Sequence, residues 1–456
     1  MKRRGFSPST RTFQTLFTGL SKVDNWAAYP KQLSNAHALY EAYRKHTKSI
    51  ESLDPKDPEL SVDPIAPYLR ILGSAGCYQE IFDVYYALPK EGPLAPNAFI
   101  YTAIFQALNS AKMGSTLLSE KVASDARLLW KQALAASKRG KGFEIDSHIA
   151  SSAIFALSGG KPMDIELAFS IANQFYGLAI GQTKSVPALI PLQSESFAAV
   201  LKLCLYAKQY AYPAQFLQQV KNRPERQGGI GILDRGHMDD ILRASISLKE
   251  PGLGAYAFET LNWMLRQEVT GTNGPKIRPA PSTYSLVMQA CMKAADWGSA
   301  VQTFEMMTGL HAHDFMDGSV AERPRQDKRG PGRSITPTAE VVSSLLRAAS
   351  GTHNRANMRQ ALRIVNHLGL ERLMQSSSVG GSAARSQGFF GTKLATAVVE
   401  TVNLVLAENS GRYVEESKLF NQLRVAAQKM LDASKGRPSD ARKPSRRPAK
   451  TFSPSL

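Results

Sequence analysis

PAPSTYSLVMQACMKAADWGSAVQTFEMM, running from Pro279 to Met307, is the stretch whose periodicity decides the fold. Pro279 and Pro281 precede a segment in which Tyr284, Val287, Met288 and Cys291 recur at i, i+3, i+4 and i+7, the spacing of one helix face. After a break at Ala295 to Gly298, Ala300, Phe304 and Met307 recur at i, i+4 and i+7 on a second helix. Two short amphipathic helices with so small a connection predict an antiparallel hairpin. The small side chain of Ala300 lets the helices approach closely, and Phe304 and Met307 are placed to pack on the next hairpin.

The same pattern recurs along the chain. A small or apolar residue, then a large apolar one, then another, reads as Ala36, Tyr40, Tyr43; as Ile81, Tyr85, Leu88; and as Ala126, Trp130, Ala133. It continues as Ala168, Ala172, Phe175; as Ala257, Leu261, Met264; and as Ala361, Val365, Leu368. The matching first helices open near Phe13, Ile65, Tyr101, Ala150, Ile241 and Val342, and a less regular hairpin opens at Phe197 and closes around Leu217 and Val220, with Pro213 in the first turn of its second helix. Such a hairpin cannot bury its apolar face alone, so neighbours must stack. The expected fold is all-α: an α-solenoid of about eight to nine stacked hairpins. Its expected organisation is a solenoid over residues 1–375 with a basic loop at 311–334, a Ser/Gly linker at 376–391, a C-terminal hairpin at 392–433 and a disordered basic tail at 434–456.

The chain has 456 residues and a formal charge of +18, with 43% hydrophobic residues. That apolar content excludes global disorder, and the charge points to a phosphate-rich partner. The tail from Ser434 to Leu456 holds seven basic residues against the single acid Asp440, a net +6, and leaves +12 on the body. Phosphate-contact candidates are Lys443, Arg446 and Arg447 in the tail and Arg323, Arg325, Lys328, Arg329 and Arg333 in the loop. The cysteines Cys77, Cys204 and Cys291 form no CxxC pair, so neither zinc nor a disulfide framework is expected. His311 and His313, with Asp314 and Asp317 nearby, lack helical i, i+4 spacing, so no metal site is expected there. No run of about 18 uninterrupted apolar residues suggests a membrane span. No Gly-rich phosphate loop, paired-carboxylate register or deaminase-like pattern is visible, so the chain reads as a non-enzyme without a cofactor.

The window Pro279–Met307 resembles the pentatricopeptide repeat, a unit of about 35 residues, with Thr283, Tyr284, Ala300, Phe304 and Met307 at the family's places. PNAFIYT at Pro96 to Thr102, followed by Ala126 and Trp130, STRTFQ at Ser9 to Gln14 and AGCYQEIFDVYYAL at Ala75 to Leu88 resemble it too. The Trp, Leu-Gly and Tyr signature of tetratricopeptide repeats is not seen, and that related solenoid stands second. The resemblance implies single-stranded RNA bound along the first helices, roughly one base per repeat. It further implies base contacts from the fifth residue of a repeat and from its last: Thr102 with Asp146 resembles a guanine-reading pair. Other polar candidates are Gln14, Ser151, Ser285 and Ser343, the last residue of the Ser285 repeat being Thr338; Ala66, Ala198 and Leu242 stand where no hydrogen bond to a base edge can form.

The loose, insertion-rich repeats resemble fungal mitochondrial members of the family. This implies a role in mitochondrial RNA processing, stability or translation, small-subunit rRNA maturation being typical. The alternative is a mitochondrial ribosome component or assembly scaffold whose hairpins mainly contact protein. Lys2, Arg3, Arg4, Arg11 and Lys22 precede the first acid, Asp24, as in a transit peptide, but the first repeat begins in the same stretch near Ser9, so a basic first helix reads equally well.

Overall fold

The computed structural model describes residues 8–111, 116–138, 143–184, 186–328, 334–375, 383–407 and 414–435. Among these residues nineteen α-helices form and no strand, only a single bridge between Leu310 and Gln326. They pair as α1 (Thr10–Leu20) with α2 (Pro30–Leu53), α3 (Ile65–Ala75) with α4 (Tyr78–Tyr86), and α5 (Ala98–Ala111) with α6 (Thr116–Ser137). Next come α7 (Ser147–Leu157) with α8 (Pro162–Tyr176) and α9 (Ser194–Tyr206) with α10 (Tyr212–Lys221), then α11 (Arg235–Leu248), followed in the chain by α12 (Leu253–Thr270). The last are α13 (Pro281–Ala294) with α14 (Trp297–Thr308), α15 (Ala339–Gly351) with α16 (Arg355–Leu368), the short α17 (Leu370–Gln375), and α18 (Ala383–Leu406) with α19 (Val414–Lys435).

The second-helix triplets read from the sequence face inward, except that Leu88 lies beyond the end of α4 and, like Leu368, is only half-buried. Ala36, Ala126, Ala168, Ala172, Ala257, Ala300 and Ala361 are fully buried, as are Leu261, Met264, Phe304, Met307 and Val365. The aromatics bridge to the following hairpin. Tyr40 of α2 stacks on Tyr68 of α3 at 4.5 Å between centroids, Tyr85 of α4 meets Tyr101 of α5 at 6.0 Å, and Trp130 of α6 meets Phe175 of α8 edge-on at 5.6 Å. Pro213 falls in the first turn of α10, where its missing N–H costs nothing.

The turn after the first helix is a recurring device. Gly76, Lys208, Lys249, Ala295 and His353 all adopt the left-handed conformation there, with φ of 77°, 56°, 58°, 51° and 54°. In three of these turns the next amide reaches back five residues: Cys77 N–H to Leu72 O, Gln209 N–H to Cys204 O, and Asp296 N–H to Cys291 O, at 2.9, 2.8 and 3.0 Å. That bond satisfies a helix-end carbonyl and reverses the chain. Four of the five positions carry a side chain that disfavours this conformation.

The helices fall into two compact units, Met1–Leu248 with Asn262–Pro279, and Lys249–Leu261 with Ala280–Leu456. In the first, α1 packs on α3, α3 on α5, α5 on α7, α7 on α9 and α9 on α11, so the first helices form a row. One hydrophobic core runs through that unit from Phe13 to Ile277. In the second unit α13 packs on α15 and α15 on α18, with α19 on α18. Its described core includes Val342, Leu346, Leu362, Val398 and Phe420.

One sequence reading changes here. The linker expected at 376–391 is helical from Ala383 onward, because α18 extends upstream of the apolar face that anchors it; 376–382 and the tail 436–456 lie outside the described residues. Phe389–Leu406 within α18 is the one described segment long and apolar enough to cross a membrane, with a mean hydropathy of 1.3. Its Leu394, Ala395, Ala397, Val398 and Val402 are buried in the second unit's core, and it carries Lys393 and Glu400, so it behaves as a core helix.

Candidate nucleic-acid interface

The structure sets a common register for the first helices. Ser9, Asp146 and Thr338 are N-caps of α1, α7 and α15, their side chains accepting from the amides of Thr12, Ile149 and Val341. Asn97 Oδ1 likewise accepts from Ile100 N–H at 3.0 Å, and Asp234 Oδ1 from His237 N–H at 3.0 Å. Four residues beyond each cap lies a buried apolar residue: Phe13, Tyr101, Ala150, Met238 and Val342. By that rule, counted from Pro64 and Asp234, α3 opens three residues later in the pattern than Ile65 implies and α11 three residues earlier than Ile241 implies. Their fifth-position residues are Leu69 and Asp239, correcting Ala66 and Leu242; both Leu69 and Asp239 are buried.

The expected base readers divide. Gln14 is exposed on α1. Thr102 and Ser343 are buried, at 8% and 3% exposure, because first helices pack on both sides of α5 and of α15; neither hydroxyl can reach a base edge. Ser151 is half-buried, and its Oγ donates to Ser147 O at 2.6 Å, a bond local to its own helix. Ser285 is half-buried on α13. Asp146 is an N-cap, one carboxylate oxygen taking the Ile149 amide at 2.8 Å. The supposed guanine-reading pair is therefore a buried threonine and a helix cap.

The exposed polar groups of the row stand further along each helix. Arg70 Nε of α3 donates to Gln106 Oε1 of α5 at 3.0 Å, and Asn109 Nδ2 of α5 donates to Ser152 O of α7 at 3.2 Å. Lys202 Nζ of α9 and Arg243 Nη1 of α11 both bind buried Asp240, at 2.9 and 2.6 Å. Gln106, Phe155, Lys202 and Arg243 share one register position, nine residues after the cap and four after the fifth position, hence on the same face. These residues were missed because the family pattern directs attention to the fifth position; the i+4 spacing from it would have found them.

At the foot of α11, Asp234 N–H donates to His237 Nδ1 at 3.1 Å while His237 Nε2 lies 2.9 Å from Ser194 O. This network assigns the proton to Nε2 of a neutral ring. Burial pushes the His237 pKa down. Cys204 and Cys291, at equivalent places eleven residues after Gln193 and Ala280, are buried, and burial raises the Cys291 thiol to about 12.

The basic loop is partly a packed structure. His311 N–H bonds Arg325 O and Asp327 N–H bonds Gly309 O, at 3.0 and 2.9 Å. Arg325 forks onto buried Asp314 with bonds of 2.6 and 3.0 Å, and its hydrogen bonds hold the Asp314 carboxyl near 2. Arg325 and Asp314 thus make a pair with no net charge, correcting the reading of Arg325 as a phosphate contact although its side chain is exposed. Asp317 is taken by Arg359 and Arg363, and His311 by Asp327. Arg323 and Lys328 are exposed. Arg329, Arg333, Lys443, Arg446 and Arg447 lie outside the described residues.

Compared with known proteins, the chain matches no family model and no curated protein.

Proposed function

We propose that this chain is a pentatricopeptide-type α-solenoid that binds single-stranded RNA along its row of first helices and acts, without catalysing a reaction, in mitochondrial RNA processing, stability or translation. The observation that carries the reading is the row itself: α1, α3, α5, α7, α9 and α11 pack in succession in a chain of +18 charge, and the face they share carries Arg70, Gln106, Lys202 and Arg243. Stacked hairpins, buried triplets and the repeated left-handed turn support the solenoid. The mitochondrial setting and small-subunit rRNA maturation rest on the family resemblance alone.

Because Thr102 and Ser343 are buried, a one-base-per-repeat code has little to work with, and binding proceeds mainly through shape and charge. The same burial favours a second reading, in which the hairpins serve as a mitochondrial ribosome component or assembly scaffold in contact with protein. Crosslinking in cells with sequencing of the bound RNA tests both. A discrete footprint in one organellar transcript supports the first; crosslinks spread through mature ribosomal RNA support the second; no RNA at all refutes the proposal. Deletion of Ser434–Leu456 asks who reads: loss of all binding would move the activity from the hairpins to the tail.

A further inference from the structure

Within the first-helix row one place differs from the rest. Phe155 of α7 and Tyr206 of α9 meet edge to face, with ring centroids 6.1 Å apart and planes at 73°. Tyr206 is 54% exposed at the end of a helix whose Phe197, Val200, Leu201 and Leu203 are buried, and its partner Phe155 is half-buried. One helical turn before Tyr206 stands Lys202, on the same face. Its ammonium and the Arg243 guanidinium are both drawn to Asp240, which is 4% exposed. One buried carboxylate thus fixes two cations whose side chains remain 42% and 47% exposed, leaving the fork a net charge of +1.

We infer that Phe155, Tyr206, Lys202 and Arg243 form an anchoring subsite for one nucleotide of single-stranded RNA, its base stacked on Tyr206 and its phosphate on the Lys202–Arg243 fork. Aromatic faces accept any base, and a held cation pair accepts the phosphate without the entropic cost of ordering two free side chains. The i, i+4 step from Lys202 to Tyr206 spans about 6 Å, a distance that one nucleotide bridges between base and phosphate. The site is sequence-tolerant and stands apart from the fifth positions, so it explains how the row holds a strand although Thr102 and Ser343 cannot read one. This inference rests on the RNA-binding reading above.

The test is binding of a fluorescein-labelled 20-nucleotide oligouridylate to the full-length chain across a salt series, for wild type, Tyr206→Ala, Tyr206→Trp and Arg243→Gln. Loss of one base stack weakens Tyr206→Ala by about 5- to 150-fold without changing the salt slope, and Tyr206→Trp keeps wild-type affinity. Arg243→Gln lowers the log–log salt slope by about 0.7, one phosphate contact on a single strand. Unchanged thermal unfolding of Tyr206→Ala confirms that the surface and not the fold was altered. If wild type binds the oligomer and Tyr206→Ala binds within about twofold of it, the subsite is wrong while the RNA-binding proposal stands. If polyglutamate competes as well as RNA does, the fork is a general acidic-peptide site and the inference fails. If wild type binds no RNA, both fall together.

Discussion

Gly73 is the sharpest test of the stacked first helices. A Cβ on Gly73 of α3 would lie 2.4 Å from Ala107 Cα and 2.7 Å from both Ala107 Cβ and Ala107 O on α5. Ordinary carbon contacts begin near 3.5 Å, so Gly73→Ala forces the two helices apart by about 1 Å. The obstacle is backbone, which no rotamer change can move. Buried Leu69, Leu72, Ile104 and Leu108 would lose contact as the helices separate. Overpacking of this kind costs about 3 kcal/mol at the upper end of its range, and the helix propensity of alanine returns about 1 kcal/mol. The net loss is about 2 kcal/mol, a fall in melting temperature of about 4–8 °C for a unit of this size. Gly19 in α1 is the matched control, with nothing within 4 Å of its would-be Cβ. Gly19→Ala gains the propensity alone and stabilises by about 0.5–1 kcal/mol. Urea unfolding followed by circular dichroism measures both. If Gly73→Ala stabilises as Gly19→Ala does, α3 and α5 are not in backbone contact and the row of first helices is wrongly drawn.

Other consequences follow from single residues. Ala295→Gly relieves a left-handed alanine at the α13–α14 turn and should stabilise by about 1 kcal/mol in urea titrations, whereas a loss would mean the turn is not left-handed. His237 is held neutral by burial, its folded pKa below the unfolded value of about 6.5. Its contribution to stability is therefore complete above that value and lost as pH falls below it towards the folded pKa. Melting temperatures at pH 7.5 and 5.5 should fall for wild type and fall less for His237→Gln; equal falls would remove His237 as the cause. Arg325→Gln should leave the oligouridylate salt slope unchanged, the Arg325–Asp314 pair having no net charge to offer a phosphate, while Arg323→Gln lowers it by about 0.7; the reverse order would reinstate Arg325 as a phosphate contact. Trp130→Ala empties a buried aromatic site between α6 and α8 and should cost about 3–5 kcal/mol, and a loss below 1 kcal/mol would contradict its burial.

Much of the fold was legible because helix periodicity and the spaced triplets are local signals: Ala300, Phe304 and Met307 declare an inward face within two turns of chain. Pro213 was legible for the same reason. The register of α11 was missed although its cap is local, Asp234 accepting from His237 N–H; what lies beyond local reading is the bond that holds the His237 ring to Ser194 O on the preceding hairpin, 43 residues away. The site was less legible than the fold. The Lys202–Arg243 fork exists only because α9 and α11 pack side by side around Asp240.

The amino-acid sequence by itself determined that this chain makes helical hairpins, where each second helix turns its apolar face, and that the whole carries excess positive charge. These depend on neighbours within one turn of helix and on composition. Only the tertiary structure decided which polar groups meet solvent. It packed neighbouring helices over Thr102 of α5 and Ser343 of α15, tied Arg325 to Asp314, and left Tyr206 exposed beside a cation pair. Burial and ion pairing depend on what lies across the interface, and the residues that supply it come from other hairpins or from the far side of a loop.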